Sequence, residues 1–426
     1  MQRNSFLGDL LSTLIERRRS SAAGDDRRAI EELCAALLSA EGEISGLKLA
    51  AAIMSKYRSL GRGQKLKFFS FLNEQMDIEP VEIAKLARAY RKDQTTETFA
   101  RLAHASESTR QELLRRLNQS PGATADLVAM RVDLLGLLAK HPELKRTDFD
   151  FVHLLRSWFN RGFLVLRQIS WNTSATILEK IVAYEAVHAI RDWEDLRRRL
   201  HPSDRRCFAF FHPTMPDEPL IFVEVALTRS IPGSIQKVLA EDRETLDAEA
   251  SKTAVFYSIS NCQRGLSGIS FGNMLVKQVV SELSQELPQL DTFVTLSPLP
   301  GFNGWLELQT DNPRARQTLA RSAQPSDAQD LAARYLLDAK RPDGFPVDAV
   351  ARFHLGNGAI IHEIHSGADT TENGLARSSG VMVNYLYDLP LTERNHEDYT
   401  AKKYVAASKA VRAQARSEIK ASSAEN

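Results

Sequence analysis

Ser297 and His354 are the two residues whose type and setting best suit proton chemistry. Ser297 stands between an apolar run, Thr292 to Leu296, and the stiff sequence Pro298-Leu299-Pro300-Gly301. Each proline fixes its own φ and restricts the residue before it, so a hydroxyl at the mouth of this turn can be preorganised. The same serine can equally bond its own backbone as an ordinary turn residue. His354 precedes the turn Gly356-Asn357-Gly358 and can give or take a proton near neutral pH. The apolar residues around it predict a strand, in which it could also be a satisfied structural histidine. His362 and His365 do not occupy the alternate positions that a metal pair on a strand would use, so they read as surface or supporting residues. No residue set reads as a metal site.

Anion binding is the second chemistry on offer. The sequence Ser267-Gly268-Ile269-Ser270-Phe271-Gly272-Asn273 lies between an apolar strand, Phe256 to Ile259, and an amphipathic helix predicted from Asn273 to Leu287, which Pro288 stops. A glycine loop at a helix start presents backbone N–H groups and the positive end of the helix dipole, which suits a phosphate. A hydroxyl at the end of the following strand, Ser297, would share that crevice. Against the acyl-transferase phosphate loop, Gln/Arg-x-x-Gly-x-Gly/Ala, Gly272 takes the last glycine. Ser267 replaces the Gln/Arg and Ser270 the middle glycine. The match is imperfect, and a plain tight turn before a helix remains the simpler alternative.

The elements that must position these residues fall into two parts. Up to about residue 155 the periodicity is helical throughout. Helices are predicted over Ala29 to Leu38, Leu47 to Leu60, Gly63 to Gln75, Pro80 to Tyr90, Glu97 to Leu117, Ala123 to Leu138 and Thr147 to Asn160. Phe68, Phe69 and Phe71 are expected in their core. Two more helices, Ser174 to Tyr184 and Tyr184 to Arg199, follow, with Trp193 and Leu196 facing inward. From Arg206 the pattern changes to strands. Cys207 to Phe211 and Leu220 to Leu227 read as a hairpin. Asp327 to Ala339 is a helix, Ala359 to Ile364 and Val381 to Tyr387 are strands, Ser366 to Ser379 is a polar loop, and the chain ends in a polar helix.

Composition excludes several classes. The 426 residues carry a net charge of +1, so no strong field favours nucleic acid or an anionic membrane. No stretch approaches the ~18 consecutive apolar residues of a membrane helix. The three cysteines, Cys34, Cys207 and Cys262, form no CxxC pattern and fit a reducing compartment. Neither a signal-peptide run nor a terminal S-K-L is present, and a cytoplasmic, bacterial-type location is expected.

Four segments, HPSDRRCFAFFHPTMPDEPLIFVEVAL, GLSGISFGNMLVKQVVSELSQELPQLDTFVTLSPLPGF, FHLGNGA and GVMVNYLYDL, together resemble the malonyl-CoA decarboxylase family, in the family's order. The resemblance spans essentially the whole chain. It implies an α+β protein: a helical oligomerisation domain, residues 1–157, followed by a GNAT-like (acyl-CoA N-acyltransferase) α/β catalytic domain, residues 158–426. It implies conversion of malonyl-CoA to acetyl-CoA and CO2 without a cofactor, in a homotetramer built through the helical domains. The family's catalytic serine falls on Ser297 and its histidine on His354, both also in contact with malonyl-CoA. Its coenzyme A loop falls on Ser267, Gly268, Ile269, Ser270, Phe271, Gly272 and Asn273. Two features depart from the pattern of animal and peroxisomal members: the segment Gly301 to Val350 is short, and the S-K-L tail is absent. Asn357, Asn384 and Tyr385 are further candidate polar contacts. A GNAT-type acyltransferase using the same loop is the alternative reading.

Overall fold

A computed structural model of the chain describes residues 26–40, 42–269 and 274–424. They form two compact units. The first comprises the chain up to Val165 together with Phe211–Leu220 and Gln263–Phe271; the second comprises the rest. Among the described residues, no helix is long and apolar enough to cross a membrane.

The first unit is helical. Its helices are α1 (Ile30–Ser39), α2 (Glu43–Ser59), α3 (Arg62–Gln75), α4 (Pro80–Lys92), α5 (Thr96–Ala105), α6 (Thr109–Asn118), α7 (Ala123–Leu135) and α8 (Lys145–Trp158). Phe68 and Phe69 are fully buried and Phe71 half-buried, with Tyr57 packed against the first two. The helix expected over Glu97 to Leu117 is two helices. The chain breaks at Ser106–Ser108, where the Ser108 hydroxyl turns inward and donates to Asp150 at 2.7 Å. Arg110, buried, donates to Asp150, to Asp77 at 2.9 Å and to the Leu72 carbonyl, so the break feeds a fully partnered polar cluster.

The second unit is built on an eight-stranded mixed sheet. Its strands are β1 (Val165–Ile169), β2 (Arg205–Phe211), β3 (Ile221–Thr228), β4 (Thr253–Asn261), β5 (Thr292–Thr295), β6 (Ser297–Pro298), β7 (Ile360–His365) and β8 (Met382–Leu386). The order is β1-β2-β3-β4-β5-β8-β6, with β7 also on β8. β2 and β3 form the expected antiparallel pair. β4 and β5 are parallel, joined by the crossover helix α12 (Met274–Glu286), after α9 (Ala175–Tyr184), α10 (Trp193–Leu200) and α11 (Ile235–Leu239). The mixed α+β architecture agrees with the expected fold class.

Three local expectations are corrected. Residues 185–192 are not helical: the Glu185 carboxylate accepts from the Val187 and His188 N–H groups and turns the chain, and α10 restarts at an Asp192 cap. Trp193, expected inside, is 47% exposed, while Leu196 is buried as expected. The segment read as a polar loop, Ser366 to Ser379, contains the helix Glu372–Ser378, capped by Thr371.

Candidate active site

β4 and β5 pair over only four positions, from Thr253–Thr292 to Phe256–Thr295, and the Leu296 N–H closes on the Phe256 carbonyl at 3.1 Å. The strands then part. β4 runs on to Asn261 beside β3, while β6 turns away and pairs with β8, Ser297 opposite Val383. The parting delivers Ser297 onto one face of the sheet. Strand alternation puts Thr295, Val383, Tyr385 and Tyr387 on that face. The opposite face carries the apolar cluster of Val255, Tyr257, Val294, Leu296 and Met382.

His354 comes from a helix, not from the strand expected. Helix α16 (Ala349–Gly356) follows α13 (Phe302–Glu307), α14 (Pro313–Leu319) and α15 (Pro325–Leu337). The buried Asp348 caps it, accepting from the Ala351 N–H at 2.8 Å. Asp348 also takes the Tyr335 hydroxyl at 3.2 Å. That hydroxyl explains Gly301 of the proline turn: a Cβ there would lie 2.4 Å from it. The other end of α16 is fixed by Asn357, whose amide donates to the Phe353 carbonyl at 2.6 Å. Gly358 follows at φ +84°, with a Cβ position 2.0 Å from the Thr392 carbonyl, so only glycine fits. The two glycine-bearing motifs therefore hold the two ends of one arrangement.

The structure brings Ser297 and His354 together. Ser297 Oγ lies 3.1 Å from His354 Nε2 and donates to Thr295 Oγ1 at 2.9 Å. With its own proton on Thr295, Ser297 accepts from Nε2–H. Nδ1 then carries the lone pair and accepts from the Tyr387 hydroxyl at 2.8 Å. The Tyr385 ring stacks on the imidazole, centroids 4.5 Å apart and planes at 25°. All five side chains are buried, His354 to 2% exposure. Burial lowers the His354 pKa from 6.5 to about 3, so the ring is neutral at physiological pH. Burial also pushes the Tyr387 phenol above its usual value.

Asn384, a candidate contact, faces the other side of the sheet. Its amide donates to the Thr295 carbonyl at 2.9 Å and accepts from His365 Nε2 at 2.5 Å. It thus ties β8 to the strand end that carries Ser297. Thr295 and Tyr387 escaped the sequence reading. The alternation that groups Tyr387 with Tyr385 was the available signal.

Ser267, Gly268 and Ile269 lie in the first unit. Ser267 follows a short 3-10 turn, Arg264–Leu266, and Ile269 N–H donates to the Leu266 carbonyl at 3.0 Å across a tight turn. Gly268 sits at φ +77°, and among the described residues nothing lies within 4 Å of its Cβ position. Ser270, Phe271, Gly272 and Asn273 lie outside the described residues. Among the described residues, no cluster of histidine, cysteine and carboxylate side chains could hold a metal ion.

A model of the malonyl-CoA decarboxylase C-terminal domain matches residues 162–327 and 314–425, and a model of the malonyl-CoA decarboxylase N-terminal domain matches 77–159. The crystal structure of malonyl-CoA decarboxylase from Rhodopseudomonas palustris is similar, with a TM-score of 0.85 and 49% identity over 90% of this chain and 98% of that one. That from Agrobacterium vitis gives 0.85 and 48%, over 90% and 99%. The mitochondrial malonyl-CoA decarboxylase of Anser anser anser is 39% identical over 343 residues, 70% of this chain and 68% of that protein.

Proposed function

We propose the function of this chain from one premise: it belongs to the malonyl-CoA decarboxylase family. It converts malonyl-CoA to acetyl-CoA and CO2. The observation that carries the assignment of the site is the buried Ser297–His354 contact at 3.1 Å. Decarboxylation breaks the bond from the α-carbon to the carboxylate. Its electron pair moves into the thioester as an enolate, and CO2 leaves. The α-carbon then needs a proton. His354 Nε2–H supplies it. A thioester enolate is a stronger base than an imidazolate, so the neutral ring is acid enough. The Tyr387 hydroxyl, bonded to Nδ1, follows with its own proton, and solvent restores the one proton consumed per turnover. Ser297 orients and polarises the malonyl carboxylate as partner of His354.

The parting of β4 from β5 supports a place for the rest of the substrate. Among the described residues, one edge of β4 has no strand partner beyond Phe256, and an extended amide-bearing chain such as that of coenzyme A can pair with such an edge. Incubation with malonyl-CoA alone tests the function. Acetyl-CoA accumulates without an amine acceptor; a strict need for an acceptor would favour acyl transfer.

Because His354 titrates at about 3 in the free protein, its charge does not change near neutrality. kcat/KM on malonyl-CoA is expected to carry no His354 ionisation between about pH 5 and 8. An inflection near 6.5 that disappears in His354→Asn contradicts the neutral-imidazole mechanism.

The helical unit serves tetramer assembly in this proposal. Exposed Ile44, Val81, Phe99 and Phe149 support it, since apolar side chains of this size favour a partner surface. Light scattering should give about four protomer masses; a monomer at assay concentration refutes it. The three cysteines, all buried thiols outside any disulfide, support a reducing, cytoplasmic setting.

A further inference from the structure

Helix α7 of the first unit carries a buried arginine, Arg131, that the reaction as described does not use. Its guanidinium is 3% exposed and is held by Asp148 of α8, Nε to Oδ1 at 2.8 Å. Its Nη1 donates to two carbonyls of the 263–269 segment: Gly265 at 2.7 Å and Ser267 at 2.8 Å. Arg156 of α8 reaches the Gly268 carbonyl at 3.4 Å. Gly265 packs so tightly on α7 that a Cβ would lie 2.0 Å from the Val128 carbonyl. The segment is therefore seated on the helices by its carbonyls.

The Ser267 carbonyl matters most. Ser267 has φ −56°, ψ 133°, Gly268 has φ +77°, and Ile269 N–H closes on the Leu266 carbonyl. This is a type II turn with Ser267 and Gly268 at its centre. Types I and II differ by a flip of the central peptide, the one joining Ser267 to Gly268. Arg131 bonds the oxygen of that peptide. In a trans peptide the N–H points opposite to the carbonyl, so Gly268 N–H is turned away from Arg131. Among the described residues nothing accepts from it, and open space lies beside the glycine. A backbone N–H presented this way is a donor for an anion.

We propose that Arg131 is a positioning residue for coenzyme A binding: it locks the Ser267–Gly268 peptide in the orientation that aims Gly268 N–H at a phosphate oxygen of the substrate. The proposal rests on the reading of residues 267–273 as the coenzyme A loop. Without the guanidinium the peptide can flip, and a carbonyl replaces the N–H in front of the anion.

Arg131→Met, Arg131→Lys and Gly268→Ala in the full-length protein test this. The readouts are kcat and KM for malonyl-CoA and the Kd of free coenzyme A. Arg131→Met is expected to raise KM and Kd about tenfold or more, with kcat within about threefold. Lysine, which cannot bond both carbonyls and Asp148 together, should fall between methionine and wild type. Gly268→Ala strains the left-handed turn position and should raise KM as well. If Gly268→Ala weakens binding and the Arg131 variants do not, the proposal is overturned while the loop reading stands. If none of them changes KM or Kd, the loop reading itself fails. Should the methionine variant not fold, the lysine variant decides: unchanged KM and Kd with lowered kcat or thermal stability means a merely structural arginine and overturns the proposal.

Discussion

His354→Asn lowers kcat on malonyl-CoA by roughly 10²- to 10⁴-fold, the usual contribution of a positioned general acid. Asparagine fills much of the imidazole volume but cannot give a ring proton to carbon, and it breaks the line from Tyr387 to Ser297. KM should change little, because the ring acts on charge that appears only after the carbon–carbon bond opens. Asparagine Oδ1 can take the place of Nδ1 and keep the Tyr387 bond, but Ser297 loses the donor at Nε2, which costs about 1–3 kcal/mol of stability. Thermal unfolding beside the kinetics separates the two effects. A variant that melts like wild type and keeps more than a tenth of kcat removes His354 from the proton step.

Ser297→Ala has the second largest expected effect, a loss of about 10² in kcat, because the malonyl carboxylate loses its orienting partner and His354 Nε2–H loses the acceptor that fixes its tautomer. Thr295 Oγ1 loses the hydrogen bond it accepts from Ser297 but still receives the Tyr385 N–H at 3.3 Å, so the strand end should hold its place. The two residues act as one unit. The double variant Ser297→Ala, His354→Asn is expected to be scarcely slower than the worse single variant. Steady-state rates for all four proteins complete the cycle, and losses that multiply would mean the residues act independently.

Much of this site was legible in the sequence, for a physical reason. The proline turn after Ser297 and the Gly-Asn-Gly turn after His354 both need backbone features that few residues permit. Gly301 makes room for the Tyr335 hydroxyl and Gly358 for the Thr392 carbonyl. The pairing of Ser297 with His354 was expected only through family resemblance, since 57 residues separate them and no local pattern links a sheet face to a helix. The helix under His354 was misread because Ala349 to Leu355 is short and apolar, and eight residues give too little periodicity to tell helix from strand. Asp348 before it and Gly358 after it were the cap and stop signals that could have settled the matter. Trp193 was placed inside by the same periodicity. The Glu185 carboxylate, by bonding two N–H groups beyond it, delays the start of that helix to Trp193 and changes which face it presents. The role of Arg131 could not be seen at all: its partners in the loop lie 134 and 136 residues away, and they are backbone carbonyls, which leave no mark on a sequence.

The most direct test is acetyl-CoA formation from malonyl-CoA alone, by wild type, His354→Asn and Ser297→Ala, with coenzyme A affinity measured on each. Wild type should yield one acetyl-CoA and one CO2 per malonyl-CoA. Both variants should be at least about a hundredfold slower with unchanged affinity for coenzyme A. Wild type that makes no acetyl-CoA without an amine acceptor, or variants that turn over at the wild-type rate, would contradict the account.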